Sequence, residues 1–441
     1  MEFENLHDLY YIWLSSVLNP GNSSAKILLE YFDSIEDLFG ADAQAYMYAG
    51  ISEKDAKRLE NKDLTLANEY LAYCRKDHLG LLCYDNPYYP QRLKKIENPP
   101  ALLYYRGRVE HLDDYPLIAM VGTRSCSERG YRQAYATAYK AASYGAVIVT
   151  GLAVGIDSAC TRGALDADAY NIGVLGCGID RIYPWQNKDL FYRLSARGLI
   201  ISEFAPFSRP EGTNFPIRNR VISGLGVATV IFEANERSGA LITADHALYQ
   251  GRQIFAIPGA VDNSLYAGPL GLIKSGAIVF TEAEDIVSEY SLMFPHRINV
   301  DRKVGVPEKL IKKAVENAFL DNILVPDKEN EQNRVLEKPA RAKKRAEVKK
   351  EPPKGEIPVS MPQFEEKGAN TPAPKAENPN VSALSAQEKA IYDMFKQKEV
   401  LSADEIAEKG IKIDDALSSL TLLEVYGLIE MLPGGNYRRL G

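Results

Sequence analysis

Apolar positions change rhythm several times along this chain. In residues 1 to about 75 they recur at helical spacing. LHDLYYIWLSSVL predicts one helix, stopped at Asn19-Pro20-Gly21. SSAKILLEYFDSIEDLFG predicts a second helix with a Ser N-cap, a turn at Asp33-Ser34 and a short third helix. No basic cluster stands out here, which favours a helical scaffold or docking role.

From about residue 80 the rhythm turns to short apolar runs. LGLLCY and ALLYYRG, bounded by Pro and Gly, predict strands. After Pro116 follow PLIAMVG, GAVIVTG, YNIGVLG, GLIISEF, GVATVIFEA, RQIFAIPG and GAIVF. Helix-length segments such as ERGYRQAYATAYKAASYG and GALITADHALYQG separate them. Strands alternating with helices make βαβ units and hence a parallel sheet. The runs are continuously apolar, as strands covered on both faces should be. The predicted class is α/β, a Rossmann-like doubly wound parallel sheet.

Near residue 290 the alternation ends, with PEKLIKKAVENAFLDNIL readable as one more helix. Residues 291–380 are predicted to be a linker, partly disordered and rich in Pro, Lys and Glu. Its basic half carries Arg341, Lys343, Lys344, Arg345, Lys349 and Lys350. A solvated spacer is the plainer reading and a polyanion-binding tether the alternative. In residues 381–441, SAQEKAIYDMFKQ, SADEIAEKG and IDDALSSLTLLEVYG predict three helices. Ser402 and Glu405 stand at capping-box positions. LIEMLPGGNYRRL then predicts a hairpin, so this region reads as a winged helix.

Composition adds exclusions. Charged residues are 25% of the chain and the formal charge is −7, which argues against a strongly basic DNA coat. A local basic patch remains compatible with that balance. Cys74, Cys83, Cys126, Cys160 and Cys177 form no CxxC pair. That spacing argues against a disulfide framework and a zinc site, and fits a reducing cytosol. The opening residues are acidic and no apolar run nears the roughly 18 residues of a membrane span, so neither signal peptide nor membrane segment is expected.

In a parallel sheet, ligands bind beyond the carboxyl ends of the strands. The turns there read VGTRSCSERG, TGLAVGID, LGCGIDRIYPWQNK, SEFAPFSRPEGTNFPIRNR and EANERSGALITA. Small residues let backbone N–H groups approach a phosphate, and helix N-termini favour negative charge. Arg124, Lys188, Arg218, Arg220 and Arg237 are predicted to converge on this rim. Gly122, Ser127, Gly151, Gly155, Ser238 and Gly239 are the candidate phosphate-approach positions. No GxGxxG follows the first parallel strand, which disfavours a dinucleotide, and no GxxxxGK[ST] occurs. None of the five histidines sits in a convincing nucleophile arrangement. His246 reads as a surface or packing residue. Asp157 and Asp180 read as helix caps, and Glu203 and Glu233 as holders of nearby arginines. No cofactor, metal or catalytic residue is expected.

The rim motifs, with FPIRNRVISGL and FAIPG in the same order, resemble the DNA-processing protein A (DprA, or Smf) family. The upstream DNPYYPQRLKKIENPPALLYYRG is similar to that family's entry into its Rossmann-type domain. The likeness covers about residues 80–285. It implies a helical domain of SAM or helix-hairpin-helix type over 1–75, a Rossmann-like DNA-binding domain over 76–290 and a winged helix over 381–441. It further implies a cytoplasmic, homodimeric, non-enzymatic protein that binds single-stranded DNA and helps load the RecA recombinase in natural transformation. Thr161, Arg129, Gly226 and Leu270 depart from the family's usual His, Tyr, Ser and Asn. None of these removes a rim arginine.

Single-stranded DNA needs cations for phosphates and flat side chains for bases. Lys188 and Phe191 are three apart and share a helix face, so one suits a phosphate and the other a base. Phe191 reads equally well as core. Asn219, between Arg218 and Arg220, offers an amide. Those arginines have an alternative use in pairing with Glu203 and Glu233. The competing function is a nucleotide or nucleoside-phosphate hydrolase of the lysine-decarboxylase-like class, whose signature resembles PGGxGTxxE. ERSGALITADHA lacks its paired glycines and its Glu.

Overall fold

The computed structural model describes residues 3–321, 323–324, 386–395, 400–402, 405–406, 409, 411, 419–420, 423, 428–432 and 436–439. The residues before 325 form one compact unit and those after 385 a second. The basic linker cluster and most of the expected third winged-domain helix lie outside the described residues.

The first unit opens with α1 (Phe3–Leu18), α2 (Ser24–Tyr31), α3 (Ile35–Gly40), α4 (Ala43–Tyr48), α5 (Glu53–Leu59) and α6 (Thr65–Lys76). The Asn-Pro-Gly breaker ends α1, with Asn19 in the left-handed region at φ 64°. Ser34 caps α3 by accepting the Asp37 N–H, as the turn chemistry predicts. Ser23 precedes α2 but makes no side-chain cap. The Asn22 side chain accepts the Ser24 N–H at 2.8 Å instead.

A nine-stranded sheet follows, in the order β1-β2-β6-β5-β4-β3-β7-β8-β9. Its strands are β1 (Gly80–Cys83), β2 (Leu102–Gly107), β3 (Leu117–Val121), β4 (Val147–Thr150), β5 (Asn171–Leu175), β6 (Leu199–Ser202), β7 (Ala228–Ile231), β8 (Gln253–Ala256) and β9 (Ile278–Val279). β1 and β2 pair antiparallel, β2 pairs antiparallel with β6, and every pairing from β6 to β9 is parallel. The chain winds outward from β3 in both directions. The reversal point, where a ligand crevice opens in such sheets, therefore lies between β3 and β7.

Between strands lie α7 (Gln91–Lys94), α8 (Glu128–Ser143), α9 (Ile156–Asp166), α10 (Lys188–Arg197), α11 (Asn214–Leu225) and α12 (Gly239–Tyr249). α13 (Ala267–Lys274), α14 (Ala283–Val287) and α15 (Glu308–Leu320) complete the unit. β3 to β7 are buried along their whole length, which explains their unbroken apolar runs. Alternate residues still separate by face. Ile118 and Met120 pack with residues of α8, α9, α14 and α15, while Leu117, Ala119 and Val121 join α10, α11 and α12. The core of the N-terminal helices, including Trp13 and Leu14, is continuous with this second face. The chain just past residue 290 is packed as well: Ala314, Val315 and Ala318 of α15, and then Ile323 and Leu324, are buried. All five cysteines are buried and free. No described helix is long and apolar enough to cross a membrane.

The second unit contains α16 (Ala386–Met394) and a three-stranded sheet of β10 (Val400–Ser402), β11 (Ile429–Leu432) and β12 (Asn436–Arg439), in the order β10-β12-β11. It has its own apolar core, built on Ile391, Phe395, Leu401, Leu420, Leu423 and Leu428. Ser402 and Glu405 form a reciprocal capping box, each side chain accepting the other's N–H at 3.2 Å.

Candidate nucleic-acid interface

The turn after β3 is shaped by glycine and by Glu233. The Thr123 N–H donates to the Glu233 carbonyl at 2.6 Å, tying the β3 turn to the β7 turn. Gly155 sits at φ 81°, and a Cβ there would lie 2.4 Å from the Thr123 carbonyl oxygen. Only glycine lets the β3 and β4 turns approach so closely. Ser127 caps α8 by accepting the Gly130 N–H. Its own N–H and hydroxyl donate to the two Glu233 carboxylate oxygens at 2.7 and 2.5 Å. That engagement makes Ser127 and Glu233 a brace beneath the rim.

Asp157, on the first turn of α9, closes the β4 turn. Its carboxylate accepts the Gly151 N–H at 2.9 Å and the Ala153 N–H at 3.4 Å. Burial pushes its carboxyl up to about 6, against the opposing pull of Arg218, those two N–H donors and Arg124. Arg218 is buried too, and donates to the carbonyls of Gly151, at 2.8 Å, and Val174. It thus binds the carboxyl ends of β4 and β5 together. Burial brings its guanidinium down to about 10, so it stays charged at neutral pH.

An open cleft of about 370 Å³ lies beside these groups, at the β3/β7 reversal point. Gly122, Arg124, Arg218, Asn219, Arg237, Ser238 and Gly239 all line it. Arg124 and Arg237 are exposed. The Arg124 guanidinium carbon stands 4.8 Å from the Phe215 ring centre, and the Tyr183 and Phe215 rings stack with 5.6 Å between their centroids. Among the described residues Arg124 makes no ion pair, so its charge is available to a ligand. Gly151 lines a smaller adjoining recess with Arg124, Arg218, Tyr183 and Phe215.

Lys188 is exposed at the first position of α10, a cation at a helix N-terminus. The buried Asn187 before it fixes that position. Its amide donates to the carbonyls of Leu152 at 2.8 Å and Ala153 at 3.0 Å, and accepts the Ser158 hydroxyl at 2.9 Å.

Of the predicted site residues, Ser127, Gly151, Gly155, Lys188, Phe191 and Arg220 do not line the cleft, and the last two are committed inside the protein. Arg220 does not line the cleft: it is buried and paired with Glu203 at 2.7 Å. Residues two apart on an α-helix point about 200° apart, so Arg218 and Arg220 cannot serve one face. Phe191 is 5% exposed and packs in the core with Leu190 and Leu194, which is the second of the two uses its spacing allows. The exposed rings are others: Tyr183, Trp185 and Tyr192. The signal for them was present in IYPWQNKDLFYRL, where aromatic residues interleave with Lys188.

Residues 80–291 match the family described as DNA recombination-mediator protein A. Protein Smf of Synechocystis sp. is 31% identical over 441 residues, covering 99% of each chain. DNA processing protein DprA of Streptococcus pneumoniae is 39% identical over 202 residues, 46% of this chain and 71% of that one. The X-ray structure of DprA from Streptococcus pneumoniae superposes with a TM-score of 0.55 at 30% identity, over 64% of this chain and 97% of that one. The chain belongs to the DprA/Smf family of DNA recombination mediators.

Proposed function

We propose that this chain binds single-stranded DNA along the rim of its parallel sheet and acts, without chemistry of its own, as a mediator that helps load a RecA-type recombinase. On this reading it works in the cytoplasm as a homodimer during natural transformation. One observation carries the proposal: Arg124, Arg237 and Lys188 are exposed on the turns and helix start at the carboxyl edge of the sheet, with Phe215 beside Arg124 and Trp185 beside Lys188. Cations for phosphates and rings for bases are what an unpaired strand needs, and a duplex hides its base faces. The acids of the rim are already committed, Glu233 to Ser127 and Asp157 to the β4 turn, which supports binding over hydrolysis.

The test is a titration of labelled oligo-dT and of duplex of equal length across a range of salt. Tighter binding to oligo-dT, weakening linearly in log–log form as salt rises, is the expected result. Equal affinity for both forms, or no binding to either, would overturn the reading. Incubation with nucleoside monophosphates should release no free base.

A further inference from the structure

Trp185 is 63% exposed and Tyr192 54%, on a rim whose cations alone do not require them. The Trp185 backbone is held on both sides. It begins the short 3-10 turn Trp185–Asn187, the Asn187 N–H donates to the Pro184 carbonyl at 3.0 Å, and the Asn187 amide is anchored to the β4 turn. The indole is therefore carried on a rigid support, which reduces the ordering cost of placing a ligand on it. The Lys188 ammonium lies 4.4 Å from the Trp185 ring centre and 6.0 Å from that of Tyr192. The neighbouring Asp189 carboxylate lies within 3.8 Å of Arg162 and 3.9 Å of Arg193, so its charge is offset.

We propose that Trp185 is the base-stacking residue of this interface: its indole takes a nucleobase of single-stranded DNA while Lys188 neutralises a flanking phosphate. The inference rests on the single-stranded DNA reading above. An aromatic ring beside an exposed ammonium suits a ligand that offers a π-face and a phosphate within one repeating unit. An apolar protein segment would use the ring and leave the ammonium without a partner. Phe191, three residues along from Lys188, cannot take this part because it is buried.

The test compares oligo-dT with an abasic deoxyribose–phosphate strand of the same length, using the full chain. The chain has two tryptophans, and Trp13 is 2% exposed with its Nε1–H donated to the Asn61 carbonyl at 2.7 Å. Quenching of tryptophan emission therefore reports Trp185, while the Trp13 signal reports folding. Oligo-dT should quench and the abasic strand should not. Trp185→Ala should weaken oligo-dT binding by about 5- to 150-fold, leave abasic binding unchanged and preserve the salt dependence. Trp185→Phe should retain most of the affinity. Lys188→Ala should instead lower the salt slope on both strands, by about 0.7. The stacking proposal is overturned if Trp185→Ala binds oligo-dT as the wild type does, if it loses equally on both strands, or if quenching is absent. If the wild type binds neither strand, the single-stranded DNA reading itself fails, which is a different result.

Discussion

Arg220 and Glu203 are locked together inside the protein: one terminal nitrogen of Arg220 donates to the two carboxylate oxygens of Glu203 at 2.7 and 2.8 Å. The same carboxylate accepts the Gly21 N–H at 3.0 Å, so the pair also fixes the loop that ends α1. Removing one partner leaves the other charge buried and alone, a loss of about 3–5 kcal/mol. Arg220→Ala should therefore lower the chemical-denaturation midpoint strongly. The salt slope of DNA binding, measured on the fraction still folded, should not change. A stable Arg220→Ala protein with a reduced salt slope would return this arginine to the interface.

The contrast between Arg218 and Arg220 shows what can be read in advance. Glycine-rich turns follow apolar runs directly in the chain, so the rim and its place at the carboxyl edge were legible from local pattern. The direction of a helical side chain depends on what packs around it. Glu203 meets Arg220 from the bend just after β6, and Gly21 from a distant loop. Neither is a sequence neighbour of α11. Phe191 was ambiguous for the same reason, because Leu190, Phe191 and Leu194 form one apolar face only once α10 lies on the sheet. The antiparallel edge of β1 and β2 was equally hidden, since an apolar run does not encode strand direction.

Arg124 and Lys188 should act on affinity through charge. Each lost phosphate contact on a single strand reduces the log–log salt slope by about 0.7. Arg124→Ala and Lys188→Ala should each show a decrease of that size, and the double variant roughly the sum. Both side chains are exposed, so thermal stability should shift by no more than about 0.5 kcal/mol. A folded double variant with an unchanged titration curve would remove both residues from the site.

Asp157 should make binding depend on pH. Its carboxyl is raised to about 6 from an ordinary value of 3.8, with burial the largest cause. A raised folded-state value favours the folded protein below the unfolded pKa, and this contribution is lost as pH rises through the folded one. Wild type should thus lose up to about 3 kcal/mol relative to Asp157→Asn as pH rises from about 3 to about 7. Ionisation also places a negative charge beside Arg218 and Arg124 in the cleft. Affinity for oligo-dT at constant ionic strength should rise as pH falls from 7.5 to 5.5. Asp157→Asn should flatten that rise, and an equally steep profile in the variant would assign the dependence to another group.

The second unit should not be the main DNA reader. In a winged helix the third helix enters the major groove, and Lys and Arg around it hold the phosphates. The segment expected to form that helix, IDDALSSLTLLEVYG, carries Asp414, Asp415 and Glu424 and contains no Lys or Arg. Aspartates at a helix start suit the helix dipole but oppose phosphates. Arg439, on β12, already stacks on Tyr392 at 4.5 Å and donates to its hydroxyl at 3.1 Å. Protein docking or support of a dimer fits this charge pattern better. Residues 381–441 expressed alone should bind neither duplex nor single strand at physiological salt. Micromolar binding that is abolished by charge reversal within residues 413–427 would make this unit a DNA reader and demote the rim to a secondary contact.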